Sequence, residues 1–184
     1  VLDGDPLVLN QVQLDKLDAR IDGVVTITDT STNLGNLLDN AVSTSIQQIT
    51  STDTLAIKFE QFRNLPTYYS GDIVIKDTED NIVAALNEDL LDDRVKTLVV
   101  TSQSTTLGKT GVGDDSSITV TAAAAKNILS KKVYSEADFE AGNTSSYMGI
   151  SIVDRAAAIA DFIGTASFPG TSTAADETGA IDLV

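Results

Sequence analysis

The chain has 184 residues, with 27 acidic and 12 basic side chains giving a formal net charge of −15; that field repels phosphate backbones and anionic membrane surfaces, so no nucleic-acid partner is expected. There is no Cys and no His, which excludes disulfides, thiolate zinc sites, cysteine nucleophiles and Ser-His-Asp triads, and leaves carboxylates to do any acid–base work. No apolar run reaches the roughly 20 residues of a membrane helix, so no membrane insertion is expected.

"VLDGDP" at the front reads as a turn into a first strand. "LVLNQVQLDKL" (Leu7–Leu17) opens with alternating apolar residues, the period of a short strand, and continues at helical spacing. "VTITDTSTNLGNLL" (Val25–Leu38) has the same grammar, with a change of period at Asp29, and "SIQQIT" (Ser45–Thr50) reads as a third strand. The same three elements then return, about 48 positions on. "LAIKFEQFRNL" (Leu55–Leu65) matches the first and "IVIKDTEDNIVAAL" (Ile73–Leu86) the second, pairing Val25 with Ile73, Ile27 with Ile75, Asn33 with Asn81 and Leu38 with Leu86. "RVKTLV" (Arg94–Val99) matches the third more loosely.

A third pass is looser and carries insertions. "ITVTAAAAKNI" (Ile118–Ile128) and "ISIVDRAAAIADFI" (Ile150–Ile163) keep the register, with Arg155 and Ala158 in place of the earlier Thr and Asn. The extra residues fall in Thr101–Ser117 and Leu129–Gly149. In the second insertion Ser135 followed by Asp138 predicts a short capped helix. The tail, rich in Gly, Thr, Ser and Ala, reads as a linker running to a final strand at "AIDLV". Because the sequence starts at Val1, we read it as part of a longer product.

These observations predict an α/β fold of tandem strand–helix repeats, stacking into a parallel-sheet, solenoid-like array whose modules hide one another's apolar faces. The expected divisions are 1–54, 55–103 and 104–166 for three repeats, then 167–184 for the linker and last strand. Asp29, Asp77 and Asp154 stand where strand gives way to helix, and are expected to be helix N-caps, each worth about 1 kcal/mol. Calcium binding is the alternative role for them, and Asn33 and Asn81 could ladder between turns of a stack.

Candidate ligand chemistry is sparse. "GKTGVGDDSS" (Gly108–Ser117) lacks the residue order of a phosphate loop. Calcium is the one candidate cofactor: "DGD" and "GDD" offer Asp3, Asp5, Asp114 and Asp115, without completing an EF-hand loop. Tyr134, Phe139, Tyr147 and Met148 gather the scarce large side chains in one insertion, either as a cover for the end of the stack or as a partner surface.

The strings "ITDTSTNLGNLL", "IKDTEDNIVAAL" and "IVDRAAAIADFI" resemble repeats of very large secreted or surface proteins of bacteria, of the cyanobacterial hemolysin-like, surface-layer-like and adhesin-like type. The resemblance covers Leu7 to about Ile163, and the calcium-binding Gly-Gly-x-Gly-x-Asp nonapeptides of such proteins are missing. The leading expectation, from the repeats and the composition together with this resemblance, is a non-enzymatic spacer or lattice element of an extracellular or cell-surface assembly, whose partners are neighbouring repeats of the same or a like chain. The alternatives are an adhesion module that binds glycan or protein through the third-repeat insertions, and a structural protein of a phage tail or fibre.

Overall fold

Alternating aliphatics followed at once by helical spacing leave little choice of local structure. A short strand runs into a short helix, and such a helix can carry the chain back to a parallel strand of a sheet. The computed structural model describes residues 7–9, 25–44, 46–102, 117–143, 145–165 and 181–183. Their strands are β1 (Leu7–Leu9), β2 (Val25–Asp29), β3 (Ile46–Ser51), β4 (Leu55–Ile57), β5 (Ile73–Asp77), β6 (Val95–Val100), β7 (Ser117–Val120), β8 (Lys132–Ser135), β9 (Gly149–Ile152) and β10 (Ile181–Leu183). The helices are α1 (Ser31–Leu38), α2 (Phe59–Asn64), α3 (Glu79–Asn87), α4 (Ala122–Ile128), α5 (Glu136–Glu140) and α6 (Ala156–Thr165).

The fold is α/β with parallel strands. One sheet has the order β1-β2-β3, a second β4-β5-β6-β8 and a third β10-β9-β7. In the first, Leu9 lies opposite Ile27 and Ile27 opposite Ile49, both pairs parallel. In the third, Ile118 lies opposite Ile150, and Ile150 opposite Ile181, again in parallel. Strand β8 joins the second sheet beside β6, with Leu98 opposite Val133. Part of the second insertion therefore extends a sheet. The last strand, expected within 167–184, is β10, and it belongs with β7 and β9.

Strands that match in sequence do not extend a common sheet, contrary to the solenoid-like expectation. Ile27 belongs to the first sheet and Ile75 to the second. Helices α1, α2, α3 and α6 each set the following strand next to the preceding one, whereas the chain leaves β7 through α4 to place β8 beside β6 and returns through α5 to place β9 beside β7.

The chain divides into two compact units, Val1–Val74 and Ile75–Val184. In the first, Val25, Ile27, Leu34, Leu38 and Leu55 are fully buried, with Ile46, Ile49, Ile57, Phe59 and Phe62 around them. In the second, Ile75, Ile82, Ala85, Leu86, Leu98 and Ile118 are buried, and so are Ala124, Ala125, Ile128, Ile152 and Phe162. Each core is thus a set of small aliphatics with few rings, as the composition implies.

One side chain in β2 breaks the pattern. Thr26 is buried, and its hydroxyl has no hydrogen-bond partner. The matched residue in β5, Val74, is equally buried and apolar. Thr26→Val keeps the shape and removes an unsatisfied hydroxyl, so urea denaturation is expected to show a gain of about 1 kcal/mol.

Candidate functional site

The Asp-Thr-x-x-Asn signature resolves into a local hydrogen-bond lock at the start of two helices. The N-cap is Thr30 in α1 and Thr78 in α3, one residue later than the aspartates expected there. Thr30 Oγ1 accepts from the Asn33 N–H at 3.4 Å, and Thr78 Oγ1 from the Asn81 N–H at 3.3 Å. Asp29 Oδ1 accepts from the Thr30 N–H and from Asn33 Nδ2, both at 2.8 Å. Asp77 repeats both bonds, at 2.8 Å each, with Thr78 and Asn81. The cap moves by one because Asp29 and Asp77 are still strand residues, whose carbonyls accept from Thr52 and Thr101. Asn33 and Asn81 are taken up in these locks and form no ladder.

Asp154 follows the pattern in part. Its Oδ1 accepts from the Arg155 N–H at 2.7 Å, while Oδ2 reaches the Ala122 N–H at 3.1 Å. With no Asn to hold, its second oxygen serves the first turn of α4. It precedes α6 by two residues and so is not the residue next to the helix.

The chemistry that recurs most faithfully lies between elements, at two junctions built from matched residues. At the first, α1 packs on β4 and α2. Ser31 Oγ donates to the Ala56 carbonyl at 3.0 Å and accepts from the Ala56 N–H at 2.8 Å. Asn64 Nδ2 donates to the Leu38 carbonyl at 2.8 Å, and Gln61 Nε2 to Asp39 Oδ1 at 2.7 Å. The helices approach closely at Gly35, where a Cβ would stand 3.4 Å from the Gln61 amide.

At the second, α3 packs on β7 and α4. Glu79, which matches Ser31, is fully buried, and its Oε1 accepts from the Thr119 N–H at 2.8 Å. Asn127, which matches Asn64, donates to the Leu86 carbonyl at 3.0 Å, just as Asn64 does to Leu38. Thr121 Oγ1 donates to Asn87 Oδ1 at 2.7 Å. In both places one carbonyl at the helix end accepts from an Asn of the following helix, and the helix begins with a polar side chain on the strand that leads into that following helix. The apolar partners are Leu34 and Leu38 in one case, Ile82 and Leu86 in the other, each no more than 1% exposed. Sequence reasoning missed Asn64 and Asn127, although the paired "RNL" and "KNI" carry a signal that could have marked them. Ser31 and Glu79 share no chemistry that would have marked them.

The four large side chains of the insertion come together, but largely inward. Tyr134 and Met148 are buried, so they present no partner surface; Phe139 and Tyr147 are half-buried. The Tyr134 ring lies 6.1 Å from that of Phe139 and 5.0 Å from that of Tyr147. Helix α5 starts as predicted, with Ser135 Oγ accepting from the Asp138 N–H at 3.2 Å. Lys76 ties it down through Glu136 at 2.9 Å and Glu140 at 2.7 Å, and these bonds raise the Lys76 pKa. Being largely solvent-exposed, those ion pairs contribute little to stability.

Burial, aided by a hydrogen bond with Tyr147, pushes the Tyr134 hydroxyl up to about 12. A raised folded-state value means that the neutral phenol is favoured by folding. Its share of the stability is complete below the unfolded value near 10, and is lost as pH rises toward about 12. Alkaline titration followed by phenolate absorbance should show more than one late tyrosine, since burial also raises Tyr68, and Tyr134→Phe should delete the later step.

Asp3, Asp5, Asp114 and Asp115 lie outside the described residues. Among the described residues no group of three or more acidic, His or Cys side chains is arranged to hold a metal ion, and no helix is long and apolar enough to cross a membrane. No protein-family model, curated protein or solved structure matches this chain.

Proposed function

We propose that this chain is a non-enzymatic structural segment, a spacer or lattice element of an extracellular surface or fibre assembly, in which β/α modules are packed serially through helix-to-strand junctions. One observation carries the reading: two junctions, at matched positions, use the same Asn-to-carbonyl bond and the same placement of a polar side chain on the strand that leads into the following helix. A linear array repeats its packing, because each module can bury its helix face only against the next. The Cys- and His-free composition and the acidic surface support the same reading, since they suit solubility outside the cell rather than catalysis. This array differs from a solenoid in that each trio of strands keeps its own sheet.

Protease treatment of intact cells or particles of the source is the direct test. Peptides of this chain should appear in the supernatant without lysis. Recovery only after lysis would overturn the extracellular role.

A further inference from the structure

The junction-forming helix occurs three times in the sequence, and in its third occurrence two positions of the junction face are exposed. Ser31, Glu79 and Ala156 are matched residues, as are Leu38, Leu86 and Ile163. Leu38 is 0% exposed and Leu86 1%, whereas Ile163 is 48% exposed. Ser31 and Glu79 are buried, whereas Ala156 is exposed. The helix is held to its own unit chiefly through Phe162, which is completely buried, while Ala158 and Ile159 are half-buried. Val153, just before the helix, adds a second exposed aliphatic at 51%. The described part of α6 carries a single charge, Asp161, and that residue reaches across to Lys126 at 3.4 Å.

What covers the equivalent face elsewhere is an element of one type: Leu55–Leu65 on α1, and Ile118–Ile128 on α3. The sequence holds a third element of that type, Leu7–Leu17. We propose that α6 seats Leu7–Leu17 of a second copy of this chain, giving head-to-tail association through a third junction of the same design. Lys16 occupies the place of Asn64 and Asn127, the residues that donate to the helix-terminal carbonyl. A lysine is a fitting donor at the negative end of a helix, so it can bond to the Ile163 carbonyl. Two different surfaces meet in such a contact, and it propagates into open chains instead of closing as a dimer. The inference rests on the serial-array reading and names the partner that this reading requires.

Sedimentation velocity from micromolar to millimolar protein tests it. The average mass should climb with concentration without stopping at a dimer, and Ile163→Arg should hold the protein monomeric with its circular dichroism unchanged. Lys16→Ala should weaken the association. Because the chain has no Cys, Ile163→Cys supplies a single reporter thiol. Its labelling should slow as protein concentration rises. A monomer at every concentration, or association that Ile163→Arg leaves undiminished, would overturn the proposal. Labelling protection that is independent of concentration would assign the face to the chain's own residues and overturn it as well. None of these failures touches the internal junctions, which the substitutions at Leu86 and Glu79 probe on their own.

Discussion

Leu86→Ala is expected to cost about 2–5 kcal/mol in urea or thermal denaturation, while Ile163→Ala, at the matched position of α6, should stay within about 0.5 kcal/mol in dilute protein. Leu86 is 1% exposed, held where α3 packs on α4 and β7, so its truncation leaves a cavity that short, tethered elements cannot easily collapse. Leu38→Ala should behave like Leu86→Ala, because Leu38 is 0% exposed against β4 and α2. Ile163, by contrast, is 48% exposed and loses little that water has not already reached. The comparison holds residue size and sequence context nearly constant and changes the neighbour alone. Equal costs at Leu86 and Ile163 would show that α6 is covered in dilute solution, and would remove the asymmetry on which its free face depends.

Glu79→Ala should be nearly as damaging, at about 1–3 kcal/mol, and should lower hydrogen-exchange protection at the Thr119 amide specifically. The carboxylate is fully buried and accepts from that amide at 2.8 Å, so its deletion leaves a strand N–H out of water without this acceptor. Glu79→Gln keeps an acceptor oxygen of the same reach and should recover most of the loss. Ser31→Ala is the matched experiment at the first junction, where one hydroxyl serves both the N–H and the carbonyl of Ala56. Should Thr119 exchange at an unchanged rate in Glu79→Ala, this bond would not be what joins α3 to β7.

A good part of the architecture was legible in the residues. Alternation in Val25, Ile27 and Ile73, Ile75 placed the strands, and Leu34, Leu38 and Ile82, Leu86 placed the helices, because each period leaves one face apolar. The cap of α5 at Ser135 was legible too, its hydroxyl and Asp138 being three residues apart. The caps of α1 and α3 were misplaced by one residue. Sequence shows that Asp29 lies at a change of period, but whether it ends the strand or starts the helix depends on the carbonyl bond to Thr52, contributed from across the sheet. The partner role suggested for Tyr134 and Met148 failed for a similar reason: large side chains in an insertion look available until their neighbours are known, and here both are buried, Tyr134 against the rings of Phe139 and Tyr147.

By itself, then, the sequence determined the local program: short strands, short helices, parallel crossovers, and three occurrences of one pattern. These follow from interactions within a few residues, and the spacing of apolar groups encodes them directly. Only the tertiary structure decided which surfaces meet. It put each trio of strands in its own sheet, drew β8 to the edge of the second, buried Glu79 and left Ile163 in water. Residues far apart in the chain settle those outcomes by excluding water from one another, and no local pattern records which distant neighbour will arrive.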